Sequence, residues 1–326
     1  MSHPARLGLA LAVAVLTAGC AAPGGAQAPT AQSVVVDSCG KQLTFTGTPQ
    51  RAVALDQSST ETLLALGMQD RMAGTANIKT KVSPKYAEAY AKIPVLSPKI
   101  LTSEPLRAAN PDVVVSGFKE LFTADRAGTR DELEALGVPT FVSAVNCPDG
   151  TTPPFERLFR DYENLGKIFG ATEKANQLAN DQRKTLAEVQ AVKRDPVKVV
   201  WVYSVFKGVP YVAGRDGMPS QMSKIAGATN IFDDLAQEWP EASWEEIARR
   251  DPDVIVIGDL SERGNPGDKA SEKLAMMREH PVVSQLKALK DNKIIEINGT
   301  EMDPSVRTVD ALRSFGAGLD KIAGRG

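Results

Sequence analysis

The chain of 326 residues sets 38 Lys and Arg against 40 Asp and Glu, a formal charge of −2, and 42% of it is hydrophobic. A near-neutral chain without a basic stripe argues against nucleic acid as a partner. Its only histidines are His3 and His280, too few for direct capture of zinc or manganese and little acid–base equipment for a hydrolase near neutral pH.

The first twenty residues, MSHPARLGLALAVAVLTAGC, hold a basic Arg6, an apolar run from Leu7 to Leu16 and small residues ending at Cys20. This run is too short for a permanent membrane helix and has the order of a secretory signal. Its end resembles a bacterial lipobox, whose cysteine receives a diacylglyceryl group after cleavage. Thr17 stands where leucine is usual, with Leu16 one place earlier. Residues 1–19 are read as a lipoprotein signal peptide and Cys20 as the lipidated residue; the plainer alternative is an ordinary signal with an incidental cysteine. Residues 20–32, rich in Ala, Pro and Gly, read as a flexible tether. Removal of residues 1–19 takes away one Arg and no acid, moving the charge from −2 to −3. The ~300 residues that remain favour two domains over a single core.

The first lobe, residues 33–152, opens with a hairpin in which SVVVD and KQLTF flank a turn, SCG. AVALD (52–56) predicts a strand, and SSTETLLALG a helix capped by Ser58 or Ser59 and ended by Gly67. MAGTA (72–76) predicts another strand, and SPKYAEAYAKIP a helix. A helix over 126–137 and a strand over 138–143 complete the lobe, an α/β alternation that implies a mainly parallel sheet. Cys39 lies in the hairpin turn and Cys147 follows the last strand. In an oxidising compartment they either pair or remain separate buried thiols. Pairing is the expectation, and would constrain the unfolded chain by ~4–5 kcal/mol.

From Pro153 no strand signal occurs for about 40 residues, and Phe155, Leu158, Phe159, Tyr162, Leu165, Ile168 and Phe169 recur at helical spacing. Residues 153–195 are read as connecting helices that Gly170 breaks or kinks; the part beyond it would extend ~35 Å. The second lobe, 196–326, begins with VKVVWVYS and continues through PYVAG, MPSQMSKIAG, KLAMMREHP, KIIEI and a terminal helix from about Ser305.

Two stretches, SEPLRAANPDVVVSG from Ser103 and SWEEIARRDPDVIVIG from Ser243, follow one pattern about 140 residues apart. In each, a glutamate (Glu104, Glu245) stands seven residues ahead of a Pro-Asp pair, and an aliphatic strand follows. One copy per half predicts paired lobes with equivalent loops facing each other across a ligand site.

Together with RAVALDQSSTETLLALG, the connecting helices, GRDGMPSQMSKIAGATNIF and DPSVRTVDAL, these units resemble class III solute-binding proteins of ABC importers, which take ferric siderophores, haem or cobalamin. The two cysteines also look like those of actinobacterial siderophore-binding lipoproteins. The resemblance covers nearly all of the mature chain. It implies an α/β fold of two lobes with mainly parallel sheets, joined by a long rigid helix, with a cleft between them and little closure. It also implies a monomer held at the outer face of the cell membrane by its lipid. This monomer would pass an Fe(III)-siderophore to a two-subunit permease driven by a cytoplasmic ATPase, with no cofactor, no metal ligands and no catalysis.

On that resemblance Arg307 and Trp239 are cleft residues. Loops at strand ends add Phe206, Lys207, Arg215 and Arg263 from the second lobe, and Gln57, Ser58, Phe118 and Lys119 from the first. A guanidinium suits chelate oxygens, and Arg215, Arg263 and Arg307 favour an anionic chelate. Cobalamin is the nearest alternative, although the first-lobe loops offer mainly Phe118 and Phe122; haem would use a tyrosine such as Tyr211. The resemblance also implies that Glu104 and Glu245 dock on permease arginines. An envelope signalling lipoprotein, or a secreted hydrolase working through carboxylates, stays open from the residues alone, although no Gly-x-Ser-x-Gly motif is present.

Overall fold

The computed structural model describes Met1 and residues 33–325. The signal peptide, Cys20 and the tether lie outside the described residues.

β1 (Val34–Ser38) and β2 (Lys41–Phe45) form the expected antiparallel hairpin. Its two-residue turn places Cys39 at φ 52° and Gly40 at φ 77°, both left-handed, as a tight hairpin turn demands. The first lobe then alternates β3 (Ala52–Ala54), α1 (Gln57–Ala65), β4 (Met72–Ala76), α2 (Ala87–Tyr90), β5 (Val95–Ser97), α3 (Ser103–Ala108), β6 (Val113–Ser116), α4 (Arg130–Ala135) and β7 (Thr140–Val142). Its sheet has the order β5-β4-β3-β6-β7, parallel throughout.

The cap of α1 differs from the expectation. Asp56, not Ser58 or Ser59, is the N-cap and accepts from the Ser59 N–H at 2.9 Å. The same carboxylate accepts from Ser116 Oγ (2.9 Å) and Gly117 N (2.8 Å), so it ties the loops after β3 and β6 together. A serine is too short to serve both loops. The predicted helix at SPKYAEAYAKIP is brief, a 3-10 turn over Pro84–Tyr86 followed by α2.

The connector is two helices, α5 (Pro154–Phe169) and α6 (Thr172–Ala191), turned at Gly170, whose φ of 66° is left-handed. They pack antiparallel: Gly166 lies against Ala175, Tyr162 Oη meets Gln182 Oε1 at 3.3 Å, and Arg183 pairs with Glu156 at 3.2 Å. A Cβ on Gly166 would come within 2.5 Å of the Ala175 side chain, so the close approach needs glycine. α6, with 20 residues, is the long element, extending ~30 Å. All seven apolar positions read at helical spacing on α5 are buried.

The second lobe holds β8 (Val197–Phe206), β9 (Val209–Val212), α7 (Met218–Ile225), β10 (Ala228–Asn230), α8 (Trp244–Arg250), β11 (Val254–Asp259), α9 (Ala270–Glu279), α10 (Lys287–Lys290), β12 (Ile294–Asn298) and α11 (Thr308–Ile322). Strands β10-β8-β11-β12 are parallel, and β9 folds back antiparallel on β8. One apolar cluster runs from Val36 of the hairpin through Phe155 and Tyr162 of α5 and Ala179 of α6 to Trp201 and Phe315. The two lobes and their connector therefore share a core.

The repeated pattern has a structural cause. In each lobe the Pro-Asp aspartate clamps the start of the neighbouring strand: Asp112 accepts from the N–H groups of Gln50 (2.6 Å) and Arg51 (3.0 Å), and Asp253 from that of Lys198 (2.7 Å). Glu104 and Glu245 are each the second residue of their helices, α3 and α8, and both are exposed.

Cys39 and Cys147 are joined, Cα to Cα 5.6 Å, closing a separation of 108 residues. Beside them Ser38 Oγ accepts from Val142 N at 2.7 Å and Arg130 donates to the Ser38 carbonyl at 2.8 Å. Non-reducing peptide mapping will recover these cysteines as one linked species. Reduction will lower stability by about 2–5 kcal/mol in a denaturant titration; free alkylation of both thiols without reductant would contradict the pairing.

Candidate ligand-binding cleft

Parallel strands direct their C-terminal ends to one edge of a sheet, and here those edges of the two lobes face each other. Their meeting point is a lysine. Lys79, three residues beyond β4, crosses from the first lobe to the second, where its ammonium meets Tyr203 Oη and Asp303 Oδ2, both at 3.1 Å. Tyr203 in turn donates to Asp303 at 3.3 Å. Three aromatic rings surround this group. The Lys79 ammonium lies 5.1 Å from the Phe118 ring and 5.7 Å from that of Tyr203, and Trp239 stacks on Tyr203 with centroids 4.4 Å apart.

Burial opposes the Lys79 charge, but the Asp303 carboxylate and Tyr203 outweigh it and hold the proton far above the ordinary lysine range. Burial, with the Asp303 charge beside it, pushes Tyr203 up to about 12. The cleft centre is thus a satisfied ion pair at neutral pH.

Next to it lies a pocket of about 420 Å³ walled by Phe118, Lys119, Glu120, Asn146, Glu238 and Trp239. Glu238 bridges the lobes through Asn146 Nδ2, 3.2 Å from its Oε2. Burial, reinforced by Asp303, pushes the Glu238 carboxyl up to about 8, so it carries its proton at neutral pH. Glu238 Oε1 and Trp239 Nε1 are sealed from bulk solvent yet have no hydrogen-bond partner among the described residues. Buried polar atoms are almost always paired; two orphans side by side in a cleft mark where a ligand's acceptors would sit.

Phe118 and Lys119, which follow β6, line one pocket together with Trp239. The other candidates are placed elsewhere. Gln57 is buried and spent on Glu61, Thr80 and the Lys79 and Thr80 N–H groups. Ser58 is buried beside a small void under Gly117. Phe206 and Lys207 form the exposed tip of the β8–β9 hairpin, where Lys207 lies over the Phe206 ring. That tip neighbours α8 rather than the cleft floor, since Trp244 Nε1 donates to the Gly208 carbonyl at 2.9 Å.

The arginine expectation needs correction. Arg307 is at the lobe junction, but its guanidinium is 13% exposed and committed to Glu301 (2.8 Å) and Glu61 (3.6 Å). Arg263 pairs with Asp268 at 3.4 Å, and Arg215 lines a different cavity. For Arg263 and Arg307 the sequence does not show the carboxylates that folding brings to them. Phe122 is buried in the first lobe's outer core. Tyr211 bonds to Glu241 at 2.6 Å and does not line that pocket. The sequence gives no sign of the roles of Tyr203, Asp303, Glu238 and Asn146; Lys79 follows the end of β4, the kind of position that also marks Gln57 and Phe118, whereas Tyr203 lies within β8.

Two α/β lobes on a shared core, with a preformed cleft at their strand ends, define a solute-binding protein. A family model described as periplasmic binding protein matches residues 53–300, and the chain belongs to that family. Members are solute-binding proteins rather than enzymes, and the periplasmic type works outside the cytoplasm. Among the described residues no helix is long and apolar enough to cross a membrane.

The chain is 24% identical over 324 residues to an uncharacterized ABC transporter substrate-binding lipoprotein of Bacillus subtilis, covering 96% of this chain and 93% of that one. It is 25% identical over 273 residues to a vitamin B12-binding protein of Vibrio parahaemolyticus, covering 83% and 90%. A crystal structure titled as an ABC-type Fe3+-hydroxamate transport system from Saccharomonospora viridis superimposes with a TM-score of 0.74 at 23% identity, over 89% of this chain and 99% of that one.

Because the folded state holds the Glu238 proton up to about pH 8 while an unfolded glutamate releases it near 4.5, the ligand-free protein will lose stability as pH rises between those values and level off above. Glu238→Gln will flatten that part of the profile in denaturant titrations across pH 5–9. An unchanged slope would show that Glu238 is ionised in the fold.

Proposed function

We propose that this protein is the lipid-anchored, extracytoplasmic binding component of an ABC importer, tethered through Cys20, and that its cargo is a ferric siderophore. A ferric siderophore has already filled the iron's coordination shell, so its carrier needs flat apolar surface and hydrogen-bond donors rather than metal ligands. The observation that supports this reading is the pocket beside Lys79, with the faces of Phe118 and Trp239, the indole N–H of Trp239 and the protonated carboxyl of Glu238. Because Arg263 and Arg307 are spent on carboxylates, the pocket suits a chelate of little net charge. A hydroxamate fits this better than the anionic chelate that the arginines alone suggested. No cofactor enters this reading.

Cobalamin is the second reading, favoured by the three aromatics Phe118, Tyr203 and Trp239 around one cleft and by the Vibrio relative.

Trp239 reports directly on the pocket. Tryptophan fluorescence will quench saturably on titration with a ferric hydroxamate, and less with a ferric catecholate, haem or cobalamin. Trp239→Ala will weaken the preferred ligand by about 1–3 kcal/mol, roughly 5- to 150-fold. Saturable binding of cobalamin alone would replace the siderophore reading, and binding of none of the four would remove both.

Glu104 and Glu245 stand at one position in both lobes and are exposed. We take them as the contacts with arginines of a two-subunit permease. A helix-start glutamate is also favoured by the macrodipole, but only by ~0.3–1 kcal/mol. Glu104→Ala with Glu245→Ala will reduce cargo uptake and capture by the permease while leaving ligand affinity unchanged and lowering the melting temperature by no more than the few degrees that two lost dipole contacts cost. Wild-type uptake at limiting protein, or a direct loss of ligand affinity, would show that these residues do not dock.

A further inference from the structure

A second cavity, of about 600 Å³, lies on the connector side of the molecule. It is bounded by the 148–154 loop, the first turn of α5, α7 and Arg215, and adjoins the cleft at Pro148 and Asp216, which line both. Its wall includes Arg157, a residue only 3% exposed. Arg157 Nε and Nη1 are sealed and have no hydrogen-bond partner among the described residues. Among the described residues no carboxylate lies within ion-pair distance of this guanidinium.

The acids whose fields reach Arg157 are Asp149, Asp216, Asp161 and Glu238, and three of them are engaged elsewhere. Asp149 is held by Thr151 and Thr152, Asp161 by Ser143 and the Ala144 N–H, and Glu238 by Asn146. The fourth, Asp216, lies beside Arg215 at 3.8 Å. The remaining lysine of the wall, Lys224, pairs with Asp233 at 3.3 Å. Arg157 is therefore the buried cation of this wall that no described residue neutralises.

Taking a charge out of water without a partner is strongly unfavourable. An arginine cannot escape by losing its proton. Packing does not account for it either, since a methionine would fill the same volume without the penalty. Gln221 stands on the same wall with its carbonyl oxygen taken by the Phe155 N–H at 2.6 Å, which leaves its amide N–H groups as donors.

We propose that this cavity is a binding site for an oxyanion of the carboxylate or phosphate class, with Arg157 as its buried anchor, Gln221 as an added donor and Arg215 and Lys224 at its sides. A guanidinium fork matches two oxygens of such a group. The anion is either a free small molecule or an acidic arm of a cargo reaching past Pro148, and the site does not depend on the ferric-chelate reading.

The test uses the mature protein without cargo, at constant ionic strength, with inorganic phosphate and citrate as probes. Calorimetric binding of at least one probe is expected, with a melting temperature that rises by roughly 5 °C near a hundredfold excess over Kd. Arg157→Met should melt higher than wild type without probe, having lost an uncompensated buried charge, and should lose at least about tenfold in probe affinity. Arg157→Lys keeps the charge but not the fork; it should bind several-fold more weakly than wild type, and serves if the methionine variant does not fold. Absence of binding by both probes in wild type, or equal probe affinity in wild type and the Arg157 variants, overturns the site. Competition between a carboxylate-bearing cargo and the bound probe, absent with a cargo lacking the carboxylate, assigns the anion to the cargo's arm; binding unaffected by either cargo assigns it to a free anion. Since the probes are measured without iron, failure here leaves the siderophore reading standing, and failure of that reading leaves this site standing.

Discussion

The rest of the molecule depends on one apolar core that does not stop at the boundary between lobes. Phe155, Phe159 and Tyr162 on α5 and Ala175 and Ala179 on α6 belong to the same buried cluster as the hairpin's Val36 and the second lobe's Trp201 and Phe315. Opening the lobes widely would require separating close-packed side chains, each worth about 1.5–3 kcal/mol when buried, rather than bending a linker. The helical hairpin turned at Gly170 reinforces this constraint, because α6 is pinned along its length by α5 instead of standing free. A carrier built in this way must meet its ligand with a cleft already formed.

Polar ties then set the character of that cleft. Lys79 with Tyr203 and Asp303, Thr80 with Thr300 at 3.2 Å, Arg307 with Glu61 and Glu301, and Asn146 with Glu238 all cross or border the junction. Most of the charge at the junction is matched within the protein, so a large ligand meets aromatic faces and a few unpaired donors rather than a cationic funnel. On the proposed reading, selectivity in such a site would come from shape and from satisfying Glu238 and Trp239. Polar groups left orphaned by a wrong ligand cost more than a poor apolar contact.

Charge is handled differently on the outer surface. Glu104 and Glu245 remain exposed on helix starts, where the helix dipole favours a carboxylate. The aspartates of the same repeated units turn inward and clamp strands β3 and β8 through backbone N–H groups. One repeated pattern therefore combines a folding element and an accessible acid, which explains why its spacing recurs in both halves.

Local rules carried the sequence reading a long way. Apolar periodicity located β4 at Met72–Ala76 to the residue, the hairpin, α5 and the two repeated units, because each depends on neighbours within a few positions. Strand-end position pointed to Phe118 and Lys119, and the family resemblance to Trp239; that the three line one pocket is seen only in the fold. The same rule was too coarse to separate Lys79, which reaches the cleft from beyond β4, from Gln57, which turns into the core, and it misses Tyr203, which lies within β8. Pairing of Cys39 with Cys147 was legible from cysteine count and compartment. The sequence alone determined the order of elements, the twofold plan and the chemical inventory, since these follow from periods of two and 3.6 residues and from composition. Only the tertiary structure decided which charges are spent and which are free. That depends on distances between residues as far apart as Glu61 and Arg307, or Lys79 and Asp303, and no local pattern encodes such a distance.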